Sequence, residues 1–398
     1  MSSDADGGEP TVIDKQATRV DPDDTTVELC RKFTRGHCKR AQACAYRHVR
    51  TQWDRKTVPV VTHKEYKEDI YLTRLIRDLI ERLDAVELPF PCRPEVVPEG
   101  MDKMWTLPKG LNPRDEFTGN GVRRSRDTHK ALSARRGWRK QWQVESFAGV
   151  LDRILAAYPG AVKRVVDFGA ASGNVGLPLA ARYPDVTFVL MDMTAFAIDI
   201  AKSRAAEAGL TNVEFRSGLI EEWDGEFDLG LAVHCCGNAT DFAQMQCIRY
   251  DAAFVLCPCC VGKLNEKSRN HRPTPTPVVQ TVDDVQQPRS RWLRDVLSTE
   301  EYHAVAQHAD HGGYDFDDER SANRRMCKFV LEADRGSYAV DNGYQVVWTK
   351  LRPLEASPKN DVLVGIPARM HKSSECDWTT AERVEPDVPA GGEKEGSE

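Results

Sequence analysis

Val165-Val166-Asp167-Phe168-Gly169-Ala170-Ala171-Ser172-Gly173-Asn174-Val175-Gly176 reads as a strand, a glycine turn and the opening of a helix. Downstream, Phe188-Val189-Leu190-Met191-Asp192 reads as a second strand that ends in a carboxylate. Gly169 and Gly173 keep the turn free of side chains, so backbone N–H groups can approach a ligand, and Asp192 sits where a carboxylate accepts both ribose hydroxyls. The spacing from Asp167 to Asp192 suits one βαβ unit. The glycines depart from G-x-G-x-x-G, because three residues separate Gly169 from Gly173 and Ala171 fills the middle. A turn that need not cradle a pyrophosphate, followed by an acidic residue, fits S-adenosylmethionine better than a dinucleotide. A tight turn in an α/β core with no ligand is the plain alternative.

Around this unit the chain alternates strand-like and helix-like text. Val165–Phe168, Thr187–Met191, Val213–Phe215, Leu229–Val233 and Phe254–Leu256 are the expected strands, which implies a parallel sheet with helices on both faces. Tyr344–Leu351 and Val362–Ile366 are expected to pair antiparallel and close the sheet. Before the core, Leu72, Leu75, Ile76, Leu79, Ile80 and Leu83 recur with a helical period between charged residues, predicting an amphipathic helix over 64–84. Proline-rich text from Pro89 to Pro113 reads as loop, and a helix is expected around Trp142–Tyr158. The organisation read from these signals is a disordered leader (1–28), a cysteine-rich module (29–50), a helical and linker region with a basic strip (51–139), the α/β domain (140–369) and a disordered acidic tail (370–398).

A chain of 398 residues can bury one large core or two modest ones. Its net charge of −6 argues against a protein that coats nucleic acid over its whole surface. The charge is uneven, acidic at both ends and basic from Arg123 to Lys140, so nucleic-acid contact is expected to be local. No stretch approaches the roughly 20 apolar residues of a membrane span. The start, Met1 to Glu9, lacks the regions of a secretory signal. A cytoplasmic or nuclear location with no membrane partner is the expectation, and the twelve cysteines read as metal ligands and reduced thiols rather than disulfides.

Cys30, Cys38, Cys44 and His48 follow C-x7-C-x5-C-x3-H. Three thiolates and an imidazole complete a tetrahedral zinc shell, and in so short a segment the metal supplies much of the folding energy. With Phe33, Gly36 and Tyr46, the segment resembles a CCCH zinc finger, a family that often binds single-stranded RNA. Exposed aromatic rings can stack on bases while Lys32, Arg35, Lys39, Arg40 and Arg47 meet phosphates. A zinc-stapled structural or protein-binding knob is the alternative.

The Asp167–Gly176 turn, His234-Cys235-Cys236-Gly237-Asn238-Ala239-Thr240-Asp241, Cys257-Pro258-Cys259-Cys260 and Ser357-Pro358-Lys359-Asn360-Asp361 occur in that order. By these four motifs the region from about 140 to 367 resembles the methyltransferase domain of glutathione S-transferase C-terminal domain-containing proteins. The companion domain differs, since this chain carries the CCCH segment instead. The resemblance implies an α/β fold, a Rossmann-like class I methyltransferase with a small N-terminal CCCH zinc finger. It implies that Asp167, Gly169 and Gly173 surround the methionine part of S-adenosylmethionine, that Asp192 holds the ribose, and that Gly218 and Leu219 lie beside adenine. An acidic side chain common near that last position is missing.

His234, at the end of the fourth expected strand, is the candidate catalytic residue: it orients a substrate or accepts a proton, or else is a core histidine bonded to neighbouring backbone. Thr240 and Asp241 are expected to cap the next helix. Cys235, Cys236, Cys257, Cys259 and Cys260 read as a second metal site, as a cysteine nucleophile or, the reading preferred, as buried reduced thiols. Arg123, Arg124, Arg126, Lys130, Arg135, Arg136, Arg139 and Lys140, with Trp138 and Trp142, form either a solvated helix face or a phosphate-binding strip. These signals converge on an S-adenosylmethionine-dependent methyltransferase acting on RNA. The alternative is an RNA-binding or scaffold protein with a catalytically inactive methyltransferase-like core, and a third reading is methylation of protein or a small molecule.

Overall fold

The computed structural model describes residues 106–108, 110–113, 128–233, 235–262, 264, 285–310 and 319–371. The expected zinc ligands Cys30, Cys38, Cys44 and His48, the helix over 64–84, the catalytic candidate His234 and the acidic tail beyond 371 lie outside these residues.

The described chain runs α1 (Thr128–Ala157), β1 (Arg164–Phe168), α2 (Gly176–Arg182), β2 (Thr187–Asp192), α3 (Ala195–Glu207), β3 (Val213–Ser217), β4 (Leu229–Val233), α4 (Asn238–Arg249), β5 (Ala253–Cys257), α5 (Arg291–Arg294), α6 (Thr299–Asp310), α7 (Glu319–Asp341), β6 (Tyr344–Lys350), β7 (Asp361–Pro367) and α8 (Ala368–His371). The strands form one sheet in the order β3-β2-β1-β4-β5-β7-β6. β1 to β5 are parallel, and β7 lies antiparallel between β5 and β6. This is the Rossmann-like class I methyltransferase arrangement expected from the sequence. The closing pair forms as Tyr344–Lys350 and Asp361–Pro367, with Val347 opposite Val364.

Buried strands explain the near-continuous apolar runs, because helices cover both faces of the sheet. Alternate residues feed two cores. Val165, Phe188, Leu190, Leu229 and Leu231 pack with Val144, Phe147, Leu151 and Ile154 of α1. Phe168, Val189, Met191 and Phe254 pack on the other face with Trp223, Phe227, Tyr344 and Trp348. The spacing 144, 147, 151, 154 is one helical stripe, which is why α1 docks on the sheet. No described helix is long and apolar enough to cross a membrane.

Two expectations change. The helix expected around Trp142–Tyr158 begins at Thr128, so the residues from Lys130 to Lys140 of the basic strip stand on the same helix as the apolar stripe. Thr240 and Asp241 do not cap α4: its first flanking residue is Gly237, with no side-chain cap. Thr240 Oγ1 donates instead to the Cys235 carbonyl at 2.6 Å. Asp241 is fully buried and accepts from Arg289 at 2.9 Å and from Arg335 at 2.9 and 3.1 Å. Arg335 of the long α7 and Arg289 ahead of α5 together convert an apparent cap into an interior ion cluster.

Candidate active site

A cleft of about 590 Å³ opens at the carboxyl ends of β1, β2 and β4, lined among others by Asp167, Gly169, Asp192, Gly218 and Leu219. Five of the six residues expected to bind the cofactor therefore meet in one place. In the sheet register Asp192 stands opposite Ser217, and the Gly218 N–H donates to the Asp192 carbonyl at 3.1 Å, which brings the ends of β2 and β3 together. Gly173 is the exception. It stands behind the turn with φ +78°, and a Cβ there would fall 2.6 Å from Leu177 and 2.9 Å from Leu190. Close packing of turn, helix and strand therefore requires a glycine here.

Gly169 does face the cleft, also with positive φ (+70°), and a Cβ on it would stand 2.7 Å from Cys235 Sγ. A side chain would strain the backbone and displace Cys235, so the bare backbone at this wall is a steric requirement. Arg204 of α3 braces the turn from outside, donating to the Ser172 carbonyl, to Asn174 Oδ1 at 3.0 Å and to the Gly110 carbonyl at 3.1 Å.

The Asp192 carboxylate accepts the Ala171 N–H at 3.0 Å on one oxygen and the Thr194 N–H at 2.8 Å on the other. Each oxygen keeps a further lone pair for a ligand hydroxyl. Asp167 is buried beneath the turn and accepts the Gly176 N–H at 3.0 Å. Burial pushes its carboxyl up to about 7, against the pull of that N–H and of the Lys140 charge and with a push from Asp192. Lys140 also lines the cleft, and burial lowers its pKa, offset in part by Cys257, Asp167 and Cys259.

Among the lining residues that the sequence did not assign to the cleft are Lys140, Met193 and Glu221. Lys140 reads as one charge in a basic run, and only the packing of α1 sends it to the cleft. Met193 is the neighbour of Asp192 and remains largely exposed at the rim. Glu221 supplies an acidic group at the Gly218–Leu219 end, where the sequence reading found none; it lies three positions beyond Gly218, after the chain has turned.

Residues 160–319 match the family model described as a methyltransferase domain. This region is a methyltransferase domain. The chain is 35% identical over 239 residues to a glutathione S-transferase C-terminal domain-containing protein homolog of Drosophila melanogaster, covering 59% of this chain and 38% of the relative. With the Mus musculus glutathione S-transferase C-terminal domain-containing protein it shares 31% over 296 residues, 74% of this chain and 40% of the relative. The chain thus spans about two-fifths of the length of these curated relatives. Among solved structures, the magnesium protoporphyrin IX methyltransferase of Synechocystis with bound SAH aligns over 62% of this chain and 90% of its own, at 14% identity and a TM-score of 0.33.

The five cysteines of the second and third motifs of the methyltransferase domain separate into distinct environments. Cys235 is buried, donates to the Phe168 carbonyl at 2.9 Å, and burial raises its pKa far above the usual thiol value. Cys257 is buried and pushed up to about 12, again by burial. Burial thus favours the thiol form at both, in keeping with the reading as buried reduced thiols. Cys236, Cys259 and Cys260 stand together, with their sulfurs within 4.8 Å of one another.

Proposed function

We propose that this chain is an S-adenosylmethionine-dependent methyltransferase that acts on RNA, delivered by its N-terminal CCCH segment. The observation that carries the methyltransferase part is the cleft itself: an acidic strand end, a bare glycine wall, a buried carboxylate and a lysine lining one pocket at the switch point of this sheet. Its volume falls within the roughly 300–1,000 Å³ of small-molecule sites, and a Cβ at Gly169 would crowd it. The residues fit the cofactor, which supplies an electrophilic methyl group on a sulfonium.

Asp192 accepts the ribose hydroxyls through the lone pairs left over from Ala171 and Thr194. Met193 and Ile220 offer apolar walls for the adenine, with Leu219 beside it and Glu221 to accept from its amino group. Gly169 admits the amino-acid end, where Asp167 answers an ammonium and Lys140 a carboxylate. His234 follows the last residue of β4 and is assigned to orienting the acceptor or taking its proton. Methyl transfer depends chiefly on aligning donor and acceptor, so few further groups are required.

The RNA part rests on chemistry outside the cleft. Cys30, Cys38, Cys44 and His48 have a zinc-finger spacing with aromatic and basic residues interleaved, and Arg135, Arg136 and Arg139 precede Lys140 on α1. A basic run on the helix that reaches the cleft gives a phosphate backbone a route to it. The site of action assigned is cytoplasmic or nuclear. Incubating the full chain with radiolabelled cofactor and separated RNA, protein and small-molecule fractions tests the assignment: label in RNA is expected, and label confined to another fraction overturns the substrate class. Firm RNA binding with no transfer to any fraction would favour an inactive scaffold.

A further inference from the structure

We infer that Cys236, Cys259 and Cys260 form a thiolate metal site for zinc, at the carboxyl ends of β4 and β5. Its ligands are other residues than those of the CCCH segment, and the inference does not depend on the methyltransferase reading. Among the described residues these three sulfurs are the one group of possible metal ligands that converge, lying within 4.8 Å of one another. Cys259 and Cys260 are 3.6 Å apart, sulfur to sulfur. Zinc at about 2.3 Å from each of three tetrahedral sulfurs holds them about 3.8 Å apart. The sulfurs are therefore already close to the separations a metal requires, and only a small adjustment is needed.

The scaffold that places them is built rather than accidental. The Gly237 N–H donates to the Cys260 carbonyl at 2.7 Å, tying the loop after β4 to the loop after β5. The Val261 N–H donates to Asp310 Oδ1 at 3.1 Å, and Lys359 Nζ donates to the same oxygen at 2.6 Å. The fourth sequence motif thus braces the third. Burial differs along the trio: Cys236 is exposed while Cys259 is buried, so an ion entering from the Cys236 side meets a closed far wall. None of the three is in a disulfide.

Binding replaces three S–H protons, released to solvent, with three metal–sulfur bonds, and no electron changes hands. Three protein ligands leave the fourth zinc position to a water or to an entering heteroatom. Cys236 also lines the cofactor cleft, so that open position lies at its rim.

The test uses the full chain with Cys30→Ser, Cys38→Ser and Cys44→Ser combined, which empties the CCCH segment. After dialysis against low zinc, about one equivalent is expected to remain, with X-ray absorption giving three sulfurs at about 2.3 Å. Cobalt substitution is expected to give a thiolate-to-metal absorption band. Adding Cys236→Ser, at an exposed position that leaves packing undisturbed, should lower zinc affinity at least tenfold and weaken that band by about a third. Loss of all metal from the variant with the emptied finger would overturn the inference, as would metal that survives Cys236→Ser with Cys260→Ser. A Cys259-containing disulfide in the freshly purified protein, read from a mass lower by two hydrogens, would overturn it in favour of a redox pair. Failure of the CCCH assignment is distinguishable, because the wild-type chain would then bind about one equivalent instead of two.

Discussion

Asp167 of β1 and Asp241 of α4 are both buried aspartates, and their carboxyls move in opposite directions. Burial penalises the charge at each. At Asp241 the arginines 335 and 289 overcome that penalty and hold the carboxyl below its usual range. At Asp167 one backbone N–H and the neighbouring Lys140 do not, and the carboxyl rises to about 7. Depth alone therefore says nothing about role. A buried acid whose partners are fully engaged ties elements together, whereas one left under-compensated beside a cleft is held in readiness for a ligand's charge.

The largest effect expected on this contrast is structural. Asp241 joins α4 to Arg289 and to Arg335 of α7, and Arg335 also donates to Glu332 at 3.1 and 3.2 Å. Lys328 continues the cluster to Glu332 at 2.7 Å and to Asp361 at 3.1 Å. Arg335→Ala leaves two buried carboxylates short of a partner and should cost about 3–5 kcal/mol. Urea unfolding with unchanged slope measures it. A cost below about 1 kcal/mol would mean that water enters and the cluster is not the interior tie described.

The cleft side of the contrast is read by binding. Asp192→Asn keeps the size of the side chain but removes the charge that strengthens hydrogen bonds to ribose hydroxyls. A loss of about 2 kcal/mol in S-adenosylhomocysteine affinity, roughly thirtyfold, is expected by calorimetry. Unchanged affinity would take Asp192 out of the site. Asp167 should then give the cleft a pH dependence. Its carboxyl is protonated in the free protein below about 7, and a ligand ammonium favours the ionised form. Affinity should fall as pH drops below 7, by at most about tenfold per unit, and level off above it. Asp167→Asn should flatten this profile, and a profile that stays sloped in the variant assigns the proton to another group.

The sheet and most of the cleft were legible in the sequence because both are local patterns. Runs such as Leu229–Val233 are short, apolar and bounded by polar turns, which favours buried strands, and a carboxylate at the end of β2 follows directly from where Phe188–Asp192 stops. Gly173 was read by its type, although its neighbours Leu177 and Leu190 give it a packing role. The ion cluster was invisible for a different reason: Asp241 and Arg335 are 94 positions apart, and only the packing of α7 on α4 makes them partners. The separation of Cys235 from Cys236 was equally hidden, since successive residues leaving a strand point to opposite sides. Lys140 shows the same limit, as periodicity marks the stripe of α1 but not where its polar flank ends.

That limit yields the smallest and most discriminating effect. The basic strip reads as one unit, yet Lys140 lines the cleft while Trp138 remains exposed on the same helix. If the strip is divided by function, Lys140→Ala should weaken S-adenosylhomocysteine by about 1 kcal/mol, roughly fivefold, because a ligand carboxylate loses a partly buried cation. Arg135→Ala, Arg136→Ala and Arg139→Ala together should leave that affinity unchanged. The triple variant should instead weaken RNA binding and reduce its salt dependence by about 1 in slope for each phosphate no longer neutralised. Titrations of both ligands at two salt concentrations separate the cases. Equal loss of cofactor affinity in both variants would mean that α1 shifts as a body and that Lys140 does not meet the ligand itself. An RNA affinity indifferent to the triple variant would leave α1 as a packing helix and place any RNA-binding surface elsewhere on the chain.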